Sequence, residues 1–131
     1  MSGVTTNAVV FDSSALILFL NDALPPETLE LLEKCLHSGR ILISAIVRAE
    51  VLAWHGHTAM SLTTALALLD VCQLVPVNAV VADEGARVRR ETGMKLPDAL
   101  IAATALLQSA ALVTANAKDF RRVPSLTLIE T

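Results

Sequence analysis

The chain has 131 residues, 53% of them hydrophobic and 18% charged, with a formal net charge of −3. That length suits one domain with a real core, and the balance excludes a disordered chain. It also excludes attraction of the whole molecule to nucleic acid or anionic lipid, so any polyanion binding must be local or mediated by metal.

Ala8-Val9-Val10-Phe11 is an unbroken apolar run, the pattern of a strand buried on both faces of a parallel sheet. Asp12 closes it, and a helical pattern runs from Ser14 to about Asn21. Asp12 or Ser13 could simply cap that helix. Equally, a carboxylate at the carboxyl end of a buried strand is where open α/β sheets place their chemistry. Pro25-Pro26-Glu27 opens a second helix with Leu29, Leu32 and Leu36 on its apolar face, ended by Gly39. Ile41 to Ser44 predicts a second strand. A helix over Ile46 to Ala53 follows, broken by Trp54-His55-Gly56-His57. A helix from about Thr58 to Val71, a strand over Gln73 to Val77 and a helix from Asn78 or Ala79 through Arg90 come next, stopped by Thr92-Gly93. Leu96-Pro97-Asp98 introduces an alanine-rich helix to about Ser109. Leu112 to Thr114 is a fourth strand, Asn116 to Phe120 a short turn or helix, and Leu126 to Ile129 a last strand.

With no linker, repeat or low-complexity tract, residues 1–131 read as one domain. Short strands alternating with helices predict an α/β/α sandwich, its central parallel sheet of four or five strands covered on both faces. Ala99 to Ala117 carries no charge and approaches the length of a membrane span. Thr104, Gln108, Ser109, Thr114 and Asn116 interrupt it, however, and its spacing changes at Ala110, so a buried helix followed by a buried strand is expected. No secretory pattern opens the chain, and a cytoplasmic protein is expected. Cys35 and Cys72 match no disulfide framework and read as buried free thiols. Neither His55 with His57 nor Cys35 with His37 has zinc-site spacing.

The acids carry the functional argument. Glu50 lies among mostly apolar neighbours, and a buried carboxylate is costly unless neutralised; the alternative is a solvated Glu50 paired with Arg48 or a nearby segment. Asp98 reads locally as a first-turn acid favoured by the helix dipole. Asp119, with Thr114 and Asn116, follows the fourth strand, and alone would be a surface turn. In a doubly wound sheet, however, the ends of the first and fourth strands can meet at a switch point, and the helices bearing Glu50 and Asp98 begin at that same edge. Carboxylates converging there need a counter-charge, which Mg²⁺ or Mn²⁺ supplies through oxygen ligands. Metal-assisted phosphodiester hydrolysis follows as the expected chemistry. Gly-rich phosphate loops and the nucleophile elbow are absent, and Ser14 stands where an aspartyl phosphatase would need a second Asp.

Val9 to Leu16, Ser44 with Ala49-Glu50, Leu96 to Ala105 and Leu112 to Phe120 together resemble the PIN-domain ribonucleases, and more narrowly the VapC toxins of toxin–antitoxin pairs. The resemblance covers essentially the whole chain. It implies a PIN-like α/β/α sandwich and an acidic Mg²⁺ or Mn²⁺ site of one or two ions that cuts single-stranded or loop RNA, leaving 5′-phosphate and 3′-hydroxyl ends. It also implies a cognate VapB-type antitoxin and, commonly, a homodimer. Asp12, Glu50 and Asp98 match the family's acids, and Asp119 matches a fourth. Asn116 stands where many members carry another aspartate, which implies weaker hold on a second ion. Ser14 and Thr114 match hydroxyls that orient the acids. Arg87, Arg89 and Arg90 with Lys95, and separately Arg121 and Arg122, are candidate contacts to RNA or antitoxin. The alternative is a PIN-like binding or regulatory module with little or no nuclease activity.

Overall fold

The apolar runs become strands and the periodic segments become helices in a computed structural model that describes residues 8–131. Strands β1 (Val9–Phe11), β2 (Ile41–Ser44), β3 (Gln73–Val75), β4 (Ala111–Thr114) and β5 (Leu128–Glu130) form one sheet in the order β3-β2-β1-β4-β5, every pair parallel. Around it run α1 (Ser13–Leu20), α2 (Pro26–Ser38), α3 (Ala45–Leu52), α4 (Ala59–Val71), α5 (Ala79–Thr92), α6 (Leu96–Leu107) and α7 (Ala117–Phe120). This is the expected α/β/α architecture, with five strands.

The strand order explains where a site can form. From β1 the chain builds outward through β2 to β3, then returns to lay β4 and β5 on the other side of β1. The crevice between the carboxyl ends of β1 and β4 is therefore a switch point. Register pairs Phe11 with Val113, and the Asp12 amide donates to the Val113 carbonyl at 3.0 Å, so Asp12 and Thr114 leave the sheet side by side. Val10, Phe11, Ile43, Leu112 and Val113 are fully buried in the sheet, with Leu16, Leu32, Ile101 and Phe120 packed around them. Each such side chain contributes about 1.5–3 kcal/mol by leaving water, which fixes the strand ends that carry the acids.

Boundaries differ from the sequence reading in instructive places. Helix α1 starts at Ser13, because Asp12 is its cap: the carboxylate accepts from the Ser14 amide. Strand β3 stops at Val75, where Pro76 has no N–H for the ladder. The last strand begins at Leu128, not Leu126, because the Leu126 amide closes a turn onto Val123 and its side chain packs into the core. Helix α6 ends at Leu107 and β4 follows, so the uncharged tract divides as expected, and no helix among the described residues is long and apolar enough to cross a membrane. Cys35 and Cys72 are buried free thiols, and burial pushes Cys72 up to about 11.

Candidate active site

Asp12 is only 5% exposed, and its charge is held by neighbours from two strand ends. Oδ1 accepts from the Ser14 amide at 3.0 Å and lies 3.2 Å from the Ser13 hydroxyl. Oδ2 accepts from the Ser14 hydroxyl at 3.0 Å and from the Thr114 hydroxyl. The direction of those two bonds is fixed. Ser14 Oγ itself accepts from the Ala115 amide at 3.0 Å, and Thr114 Oγ1 from the Asn116 amide at 2.9 Å, so each hydroxyl hydrogen is left for the carboxylate. Donors of this kind offset much of the cost of burying a charge. The capping role and the site role of Asp12 are thus both realised.

Glu50 projects from α3 toward the start of α1, where the Ser13 hydroxyl donates to its Oε1 at 2.9 Å. Its helix is launched by the fully buried Ser44, which caps it by accepting from the Ile46 amide at 3.0 Å. Burial raises the proton affinity of Glu50 above the usual carboxylate range; the Ser13 bond opposes this, and the charges of Asp12 and Asp98 add to it. Arg48 is not its partner, since that guanidinium pairs with Asp70 at 3.2 Å.

Asp98 stands in the first turn of α6, after Pro97 at the helix entrance. Its carboxyl is also raised, first by burial and then by Asp12 and Asp119, with Lys95 pulling the other way. Asp119, on α7, accepts from the Asn116 side-chain amide at 2.8 Å. Asp98 and Asp119 line a cavity of about 200 Å³ together with Gly93, Met94, Lys95 and Arg122. The four acids thus meet at one sheet edge, each within electrostatic reach of another.

Among the described residues no three His, Cys, Asp or Glu side chains stand at the mutual spacing of ligands to one ion. Burial first, and the neighbouring carboxylates after it, make Glu50 and Asp98 bind protons more readily. The donor set consists of carboxylate oxygens, so it fits a hard divalent cation.

Of the arginines singled out by sequence, Arg87 is engaged by Glu84 at 2.7 Å and Glu91 at 2.9 Å, and Arg121 by Glu130. Arg89 donates to the Met94 carbonyl, Arg90 is exposed, and only Arg122 lines the acidic cavity. Ser13, which reads in the sequence as no more than a helix cap, bridges Asp12 and Glu50. No local pattern separates a capping serine from a bridging one at that position. His57 bonds the Val51 carbonyl and the Ser61 hydroxyl and takes a structural part.

The PIN-domain family profile matches residues 9–126. The chain is similar to a toxin–antitoxin complex from Klebsiella pneumoniae, with 27% identity, a TM-score of 0.77, and coverage of 95% of this chain and 100% of that one. It is also similar to VapBC2 from Rickettsia felis, solved bound to a DNA fragment from its promoter, with 24% identity, a TM-score of 0.76, and coverage of 95% and 98%. For VapBC-1 of nontypeable Haemophilus influenzae the identity is 23% and the TM-score 0.74, with coverage of 94% and 97%. No curated protein sequence matches the chain.

Proposed function

The chain belongs to the PIN-domain family, and on that premise we propose that it is a metal-dependent endoribonuclease acting as the VapC-type toxin of a type II toxin–antitoxin pair. Its substrate would be single-stranded or loop RNA, in tRNA, rRNA or mRNA. The observation that carries this reading is the meeting of Asp12, Glu50, Asp98 and Asp119 from four separate segments at the β1–β4 switch point.

Asp12 and Asp98 would be the primary ligands of Mg²⁺ or Mn²⁺, with Glu50 and Asp119 completing the set for one or two ions. The ion, when bound, polarises the phosphate and lowers the pKa of a coordinated water. Ser14 and Thr114 hold the Asp12 carboxylate in one orientation and so set the direction of its oxygens. Glu50, with its raised proton affinity, is suited to accept the proton of the attacking water while Ser13 fixes its rotamer. Attack by water at phosphorus with loss of the 3′-oxygen leaves 5′-phosphate and 3′-hydroxyl ends.

A VapB-type antitoxin is the proposed partner, in keeping with the VapBC complexes among the structural relatives. Helix α4 supports this and self-association as a homodimer, since Met60, Leu62 and Leu66 are exposed on it. The test is incubation of purified protein with a structured RNA and Mg²⁺ or Mn²⁺. Cleavage is expected, lost in chelator and in Asp12→Asn, with ends that accept ligation as 5′-phosphates. RNA that is bound equally well in chelator and never cut would instead favour a regulatory binding module.

A further inference from the structure

We propose that Lys95 and Arg122 form a phosphate-binding subsite for single-stranded RNA, seating a phosphate next to the one that is cut. This rests on the nuclease reading above and assigns to it two cations that grip the substrate.

Both side chains line the cavity that holds Asp98 and Asp119. Among the described residues neither ends in an ion pair or side-chain hydrogen bond, whereas Arg48, Arg87 and Arg121 are each engaged by carboxylates and Arg89 by the Met94 carbonyl. Clustering alone therefore does not mark the useful cations; the absence of a partner beside the acids does. A net charge of −3 and a crevice full of carboxylates repel a polyanion, so substrate needs a local positive point to approach.

The backbone beneath each cation is fixed, which lowers the entropic cost of using it. Lys95 follows Gly93, which caps α5 in the left-handed region at φ +73°, and Met94, which is 2% exposed. The Met94 amide donates to Thr92 Oγ1 at 3.1 Å while its carbonyl accepts from Arg89. Arg122 lies between Arg121, tied to Glu130, and the buried Val123, whose amide donates to the Phe120 carbonyl at 3.1 Å. Arg122 also lines a second hollow of about 360 Å³ beside Val88, Pro124 and the ion-paired Arg87 and Glu91, so its guanidinium borders both cavities. A strand leaving the acids past Arg122 has room for its next nucleotide there.

The experiment measures binding of a short single-stranded RNA to the full chain in an Asp12→Asn background with Mg²⁺, over a series of salt concentrations, with thermal melting to confirm folding. Lys95→Ala and Arg122→Ala are each expected to weaken binding about tenfold. The slope of log K against log salt should shrink by about 0.7 for each cation removed. Arg122→Lys should keep the slope, and Arg48→Ala and Arg121→Ala, which line neither hollow, should bind like the parent. Equal weakening in all four alanine variants, or none in Lys95→Ala and Arg122→Ala, would overturn the subsite. So would equally tight, equally sensitive binding of an oligoglutamate peptide, which would mark a site for acidic protein. A wild-type chain that cuts RNA while these variants bind unchanged leaves the nuclease reading intact; a wild-type chain that never cuts removes both.

Discussion

The two sides of the acidic crevice are built on different principles. On the β1 side, Asp12 is surrounded by hydrogen-bond donors from α1 and the end of β4, and its orientation is determined by the fold. On the α6 side, Asp98 accepts no side-chain hydrogen bond among the described residues and is held only by the placement of its helix. The first carboxylate has both oxygens taken up by hydrogen-bond donors inside the protein. The second is disfavoured as an anion, by burial first and then by Asp12 and Asp119. Asp12 therefore serves as the fixed point of the site and Asp98 as its adaptable one.

Substitution should separate the two sides sharply. Asp12→Asn places an amide where hydroxyls donate and weakens the helix cap, so unfolding free energy in denaturant should fall by about 1–3 kcal/mol. Asp98→Asn removes a charge that burial and two other acids disfavour, so the metal-free protein should be as stable as wild type or more so. Both should be inactive on RNA. A loss of stability in Asp98→Asn matching that of Asp12→Asn would erase the proposed contrast.

Acidity offers a second way to sharpen it. Folding raises the carboxyls of Asp98 and Glu50, so the folded state binds more protons than the unfolded one in that range. The resulting stability is complete below their ordinary values of 3.8 and 4.5 and is lost as pH rises through the raised folded values. Melting of the metal-free protein should report this as a downward contribution to stability above those values, absent in a double Asp98→Asn, Glu50→Gln variant. Added Mg²⁺ should offset it, raising the melting temperature more at neutral pH than at pH near 5. Equal Mg²⁺ effects at both values would count against the carboxylates as its ligands.

A smaller effect is expected at Asn116, whose amide donates to Asp119 and stands in part for a counter-charge. Asn116→Asp replaces that donor with a second carboxylate. Calorimetric titration with Mn²⁺ should then show a stronger or additional binding step, together with a modest loss of metal-free stability. Unchanged titration would mean that Asp119 lies outside the metal set.

What the sequence discloses follows from how local each cause is. Apolar runs bounded by Asp12, Ser44 and Thr114 specify buried parallel strands, and their order in the chain is enough to foresee the switch point. Asp12 and Asp98 were legible because one closes a strand and the other stands at a helix entrance, and Glu50 because its neighbours on α3 are mostly apolar. Ser13 was not, since a serine after a strand reads the same whether it caps or bridges. Among the arginines, the pairing of Arg87 was within reach: Glu84 and Glu91 stand three before and four after it on one helix. The pairing of Arg121 with Glu130 depends on how α7 packs against β5, which no local pattern encodes.

The smallest expected effect tests what holds the adaptable side in place. Helix α6, with Asp98 at its entrance, packs against α5 at the buried Gly85, where an added Cβ would come within 2.5 Å of a Leu100 methyl and 3.4 Å of its Cα. The methyl can swing aside but the backbone resists, and Ala regains about 1 kcal/mol of helix propensity. Gly85→Ala should therefore cost about 1 kcal/mol or less in denaturant unfolding. Gly85→Val, branched at the contact, should cost more. Because Asp12 is fixed by hydrogen bonds that this contact does not touch, the shift should fall on the Asp98 side, lowering Mn²⁺ affinity in Gly85→Val while the protein remains folded. Full Mn²⁺ affinity in a folded but destabilised Gly85→Val would show that Asp98 does not depend on α5 for its position.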